Sequence, residues 1–256
     1  MVCWSCHDSA AVGSLDVMTT AKIALVTGAN KGLGFETTRQ LAGLGWTVWL
    51  GARDAGRGRL ALARLGESLP DADVRLVALD VTSDESVTAA SGRIAEESGR
   101  LDVVVNNAGT AGRFVGPEET APADFLPVFG VNLLGPMRVT NAFLPLLRKA
   151  ETPRVVMVSS GMGSFGITTD PARIESTLHG LHYPSSKAAL NMVTSQYAKA
   201  LPDVEVCAVD PGYTATDFNG HSGTQTVAEG AEAIVRACTA EQLPGAFFDR
   251  HGVVPW

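Results

Sequence analysis

The chain has 256 residues, 45% of them hydrophobic and 18% charged, with a formal net charge of −7, which is length enough to bury one large α/β core or two small ones. An acidic chain is not drawn to nucleic acid or to an anionic membrane surface, so the expected partner is a small molecule. No run approaches the roughly 18 uninterrupted apolar residues of a membrane span, and residues 1–17 lack both the basic region and the apolar stretch of a secretory signal, so a cytoplasmic location is the expectation.

Residues 1–21 read as a disordered N-terminal extension ahead of a single domain over 22–256. Cys3-Trp4-Ser5-Cys6-His7 matches a haem-attachment pattern, but that chemistry needs export and the rest of the chain has no haem-domain signature. The four cysteines, Cys3, Cys6, Cys207 and Cys238, are too few for a disulfide scaffold. Met18 offers an alternative start just before the first strand, an idea that the intact mass of the natively expressed protein would decide.

Apolar runs of strand length fall at 22–27, 47–51, 74–79, 101–106, 154–159, 204–209 and 246–248. Helical stretches lie between them near 33–44, 55–68, 83–98, 121–149, 184–201 and 226–239. The strands are continuous Val/Ile/Leu runs, as parallel strands covered on both faces require. The expected fold is therefore a single-domain, doubly wound seven-stranded parallel sheet flanked by helices, the Rossmann arrangement.

The first strand runs into Thr27-Gly-Ala-Asn-Lys-Gly-Leu-Gly34. Glycines at 28, 32 and 34, between a strand and a helix, permit a tight turn and let backbone amides approach a pyrophosphate. The second strand ends in Ala52-Arg53-Asp54. An acidic residue at the Arg53 position would bind free ribose hydroxyls, whereas arginine clamps a 2′-phosphate; Lys31, inside the glycine loop, adds a second cation near the same phosphate. Each alone reads equally as a solvated surface charge.

Further along, Tyr183-Pro-Ser-Ser-Lys187 places a phenol and an ammonium four residues apart, on one face of a helix that starts near Pro184. A lysine cation and a helix N-terminus both favour the phenolate, so a lowered Tyr183 pKa and a tunable proton donor are expected. The pattern Y-x-x-x-K is weak by itself.

The spacing G-x-x-x-G-x-G, Asn106-Asn107-Ala108-Gly109 after the fourth strand, Asn132 in the long helix, Ser159-Ser160 ending the fifth strand, Tyr183 with Lys187, and Pro211-Gly212 after the sixth stand in one order over residues 22–256. That order resembles the short-chain dehydrogenase/reductase family, and the phrase around Arg53 resembles its carbonyl-reductase branch. The resemblance implies a catalytic set of Asn132, Ser160, Tyr183 and Lys187, with Ser160 preferred over Ser159. Lys187 would also bind the nicotinamide ribose, and Asn132 would hold a water leading from Lys187 to solvent.

The implied cofactor contacts are Gly28, Asn30, Lys31, Gly32, Leu33, Gly34, Arg53, Asp80 and Val81 at the adenine side, Asn107, Ala108 and Gly109 at the floor, and Pro211, Gly212, Thr214 and Thr216 at the nicotinamide, together with Tyr183 and Lys187. NADP(H) is the preferred cofactor, with NAD(H) as the alternative, and no metal is expected. His179 and His182 read as loop histidines, because no carboxylate or cysteine cluster accompanies them.

The expected activity is reduction of an aldehyde, ketone or quinone. An NAD-linked alcohol or hydroxysteroid dehydrogenase and a non-catalytic dinucleotide sensor are the competing readings. Substrate loops are expected near 161–182 and 213–226, the first longer than in compact relatives. Helix 184–201 is apolar on more than one side, which leaves homodimer, homotetramer and monomer all open.

Overall fold

The structure, a computed structural model, describes residues 21–113 and 115–256. The Cys3–Cys6–His7 pattern, the alternative start at Met18 and nearly all of the expected extension lie outside the described residues.

Seven parallel strands form one sheet, β1 (Ile23–Thr27), β2 (Thr47–Ala52), β3 (Val74–Ala78), β4 (Val103–Asn106), β5 (Arg154–Val158), β6 (Glu205–Val209) and β7 (Phe247–Phe248), in the order β3-β2-β1-β4-β5-β6-β7. The helices are α1 (Gly32–Gly43), α2 (Ala55–Ser68), α3 (Asp84–Ser98), α4 (Pro122–Phe129), α5 (Gly135–Leu147), the single turn α6 (Phe165–Thr168), α7 (His182–Ala200) and α8 (Val227–Thr239). Sequence and structure agree on every strand to within two residues at each end.

Alternation along each strand explains the two layers. Ala24, Val26, Val48, Leu50, Val103 and Val105 join Leu41 of α1, Leu65 of α2 and Ile234 of α8 in one core. Their neighbours Ile23, Leu25, Trp49 and Val104 join Ile94 of α3, Phe143 of α5 and Leu190 of α7 in the other. Successive side chains leave a strand on opposite faces, so an unbroken apolar run feeds both layers.

Local chemistry sets where the helices begin. Asp54 accepts from Arg57 N at 2.8 Å and Ser83 from Ser86 N at 3.2 Å, at the starts of α2 and α3. Thr226 and Glu229 close a reciprocal capping box on α8, at 3.2 and 2.9 Å. Each cap satisfies amides that a helix start leaves without partners.

The stretch predicted as one helix over 121–149 is instead α4, a π-helical turn at Gly130–Leu134, and α5. Pro136 follows the π turn and has no N–H to give the carbonyl of Asn132, four residues back, so one rung of an α-helical ladder is missing there. Chain direction across the sheet reverses between β1 and β4. Ligands of open α/β sheets bind at the carboxyl ends of the strands beside such a reversal.

Candidate active site

A cleft of about 1640 Å³ opens at that reversal, lined by the glycine turn, the loop after β4, the start of α7 and the loops after β5 and β6. The glycine turn is shaped for close approach. Gly28 has φ +64°, and a Cβ on it would stand 2.9 Å from Ala108 Cα. One on Gly34 would collide with Asn107 Nδ2 and lie 2.7 Å from Gly28 O. These glycines bring bare backbone to the N-terminus of α1, a cradle that fits the pyrophosphate of a dinucleotide.

The floor is stapled to this turn. Thr27 Oγ1 accepts from Asn107 N and Ala108 N, both at 3.0 Å, and Asn107 Nδ2 donates to Thr27 O at 2.8 Å. The Asn107 side chain thus holds the turn together, leaving the backbone of Ala108 and Gly109 to line the cleft. Asn30, Leu33 and Val81 line it too. Burial works against the Asp80 carboxylate, yet the Thr82 hydroxyl and amide and the Arg53 and Arg138 charges outweigh it and hold its pKa below the ordinary range.

Arg53 is exposed at the end of β2, on the cleft lining, and Arg57 stands one helical turn on. Lys31, expected as a second cation near the same phosphate, pairs with Asp217 Oδ2 at 2.9 Å. The acid comes from the loop after β6, which sequence spacing does not bring to the glycine turn.

At the other end of the cleft Ser160, Tyr183 and Lys187 converge. Ser159 and Ser160 leave β5 in opposite directions: Ser159 is buried on Asn191 Oδ1 at 2.5 Å, while Ser160 faces the cleft, accepts from Met162 N at 3.2 Å and bonds to Tyr183. Tyr183, half-buried, lies in the first turn of α7. Lys187 is 5% exposed, sits 5.8 Å from the Tyr183 ring centroid and donates to Val158 O at 2.8 Å.

The expected lowering of the Tyr183 pKa is overturned. Desolvation pushes the phenol up to about 12, against the Ser160 hydrogen bond and with help from the Asp210 charge. Burial also draws Lys187 down to about 8, with Asp210 opposing. Loss of water disfavours both charged forms, and for Tyr183 it outweighs the Ser160 hydrogen bond. Asp210, at the end of β6, is itself raised by burial despite the Gly212 and Gly161 amides, with Glu175 and Asp249 adding repulsion.

The hydrogen bonds of the Asn132 side chain go to Thr110 and Ser186. Its Oδ1 accepts from Thr110 N at 2.8 Å, and its Nδ2 donates to Thr110 O at 2.9 Å and Ser186 Oγ at 3.0 Å. Ser186 Oγ in turn donates to Tyr183 O at 2.7 Å. The Asn132 side chain therefore locks the π turn, the loop after β4 and the turn of α7 that carries Tyr183, while Pro136 leaves its main-chain carbonyl short of a helical donor.

After β6, Pro211 and Gly212 line the cleft, and Gly212, at φ +72°, makes a turn whose N–H goes to Asp210 Oδ1 at 2.9 Å. Thr214 Oγ1 is turned inward, donating to Pro211 O at 3.1 Å, so its side chain braces this loop. Thr216 lies over the glycine turn, its methyl 3.8 Å from where a Gly32 Cβ would stand. Among the described residues no group of three or more His, Cys, Asp or Glu is arranged to hold a metal.

The short chain dehydrogenase family pattern matches residues 22–226. The chain belongs to the short-chain dehydrogenase family. It is 37% identical to a short-chain dehydrogenase of Penicillium roqueforti over 90% of this chain and 93% of that one. It is 34% identical to a (+)-neomenthol dehydrogenase of Arabidopsis thaliana, covering 91% and 98%. In structure it is similar to an NADPH-bound carbonyl reductase from chicken fatty liver, with a TM-score of 0.81, 27% identity and coverage of 92% and 99%. As a member of this family the chain is an oxidoreductase of the nicotinamide-dinucleotide type.

Several short-chain dehydrogenase site residues escape the motif reading. Thr27 and Thr110 act through hydroxyl or backbone bonds that have no sequence spacing. Ser186, inside Tyr183-Pro-Ser-Ser-Lys187, could have been found as the hydroxyl three residues after Tyr183. Phe218, in the expected substrate loop after β6, packs its ring 5.3 Å from that of Tyr183. His182 is 3% exposed with neither ring nitrogen hydrogen-bonded, packed 6.2 Å from Phe125.

Proposed function

We propose that the chain is an NADPH-dependent reductase of a small-molecule carbonyl, an aldehyde, ketone or quinone, with Tyr183 as proton donor. The observation that carries this reading is the meeting of Ser160, Tyr183 and Lys187 in the same cleft as the glycine turn. When bound, the dinucleotide supplies the hydride, and the protein orients it and handles the proton.

A phenol raised to about 12 is protonated throughout the neutral range, the state a general acid of reduction needs. Ser160 shares the Tyr183 hydroxyl, so it is placed to steady the same developing oxyanion. Lys187, nearly out of water, brings an ammonium within 5.8 Å of the Tyr183 ring centroid, where its charge favours the phenolate left once the proton has been given up. The Asn132 carbonyl, short of a helical donor, is the natural anchor for a water that restores the proton from solvent.

Preference for NADPH rests on Arg53, an exposed guanidinium at the end of β2 where hydroxyl recognition needs an acid. The NADPH named with the chicken carbonyl reductase supports it, and Arg53→Asp is expected to move the preference toward NADH. The test is NADPH consumption against a panel of carbonyl compounds, with Tyr183→Phe alongside. Turnover of at least one carbonyl, falling by about 10²–10⁴-fold in Tyr183→Phe with NADPH affinity near normal, is the expected result. Tight NADPH binding without turnover of any carbonyl would instead establish a sensor.

A further inference from the structure

The glycine turn and the loop after β6 are tied across the mouth of the cleft by one ion pair. Lys31 Nζ stands 2.9 Å from Asp217 Oδ2, and the two residues are 186 positions apart in the chain. The second oxygen of Asp217 meets His221 Nε2 at 2.9 Å. His221 has φ +62°, the only positive φ of a non-glycine residue among those described. The hydrogen bond and charge of Lys31 hold the Asp217 carboxyl below its ordinary pKa, so it is an anion at any neutral pH. Arg53, the other cation expected at a 2′-phosphate, makes no salt bridge among the described residues.

We infer that Asp217 is a built-in competitor for the anion that Lys31 would bind, so that it sets how strongly the chain prefers a dinucleotide with a 2′-phosphate over one with free hydroxyls. This rests on reading Lys31 and Arg53 as the cations of a 2′-phosphate. Both side chains of the Lys31–Asp217 pair are more than half exposed, at 56% and 54%, and such pairs are weak. A phosphate carries more charge than a carboxylate and can engage Arg53 at the same time, so it wins the exchange. The exchange still costs affinity, because Lys31 must leave one anion for another and Asp217 stays nearby as a like charge. A dinucleotide without the phosphate leaves the pair closed and incurs no such cost.

Binding of 2′,5′-ADP and of 5′-AMP to the full chain, measured by calorimetry in wild type, Asp217→Asn, Lys31→Ala and the double variant, tests this. Wild type is expected to bind 2′,5′-ADP more tightly than 5′-AMP. Asp217→Asn should tighten 2′,5′-ADP by about 2- to 5-fold, the range an exposed pair commands, leave 5′-AMP unchanged, and lose its advantage as salt rises. In the Lys31→Ala background the same substitution should do much less, since its partner is gone. A preserved preference for 2′,5′-ADP that Asp217→Asn does not increase overturns the inference alone. Equal binding of the two nucleotides by wild type overturns the 2′-phosphate reading and the inference with it.

Discussion

Lys187 keeps an ammonium almost out of solvent and donates to one carbonyl, Val158 O, at 2.8 Å. Its pKa falls from 10.5 to about 8 in the fold, so below pH 8 the native state bears the full cost of a buried charge. Between pH 8 and 10.5 the native lysine loses its proton while the unfolded one keeps it. The unfolded state then binds more protons, and stability rises with pH across that window. Tyr183 works the other way, but only above pH 10, where the unfolded phenol ionises before the native one. Lys187→Met, of similar length and without charge, is therefore expected to stabilise the fold at pH 7 by about 1–3 kcal/mol while abolishing turnover. Urea unfolding at pH 7, 8, 9 and 10 checks this: wild type should gain stability from pH 8 to 10 and the variant should not. A variant less stable than wild type at pH 7 would mean that the lost bond to Val158 outweighs the burial of charge.

At the scale of the element, the same residue type does opposite things in two helices. Gly34 opens α1 where the loop after β4 comes in, and a Cβ there meets Asn107 Nδ2, Gly28 O at 2.7 Å and Ala29 Cα at 3.0 Å. Backbone on two sides leaves no room to yield, so Gly34→Ala should shift the turn, weaken dinucleotide binding by at least 10-fold and lower the melting temperature. Gly92, exposed in the middle of α3, would meet nothing within 4 Å, and Gly92→Ala should raise stability by about 0.5–1 kcal/mol without touching activity. Thermal melts and binding titrations on the pair check both. The glycine spacing, the strand runs and Tyr183-x-x-x-Lys187 were legible because they are local patterns in sequence. What was not legible depends on fold-level contact or on water. The Asn132 side chain in the π turn bonds to Thr110 and Ser186, partners with no sequence spacing, the Lys31–Asp217 pair joins loops that only the sheet brings together, and the sign of the Tyr183 shift depends on how much solvent the finished cleft excludes.

The whole molecule places its cradle and its proton-handling groups on separate strands that meet only at the carboxyl edge of the sheet, where β1 and β4 stand side by side with the strand order reversing between them. Glycine turn, floor loop, Ser160, α7 and the loop after β6 all border one cleft, so a dinucleotide lying there bridges both halves of the fold. Binding to the native state alone stabilises it by about 2.7 kcal/mol when ligand is at a hundred times its dissociation constant, and for a chain of this length that is roughly 5–10 °C in melting temperature. On the proposed reading, in which Arg53 and Lys31 serve a 2′-phosphate, NADPH should raise the melting temperature more than NADH at equal concentration. The difference should narrow in Arg53→Asp and fade with added salt, which screens exposed charges first. Thermal melts of wild type and Arg53→Asp with each dinucleotide measure this without any knowledge of the carbonyl substrate. Equal shifts by both dinucleotides in wild type would remove the basis for the NADPH preference while leaving the cleft as the binding site.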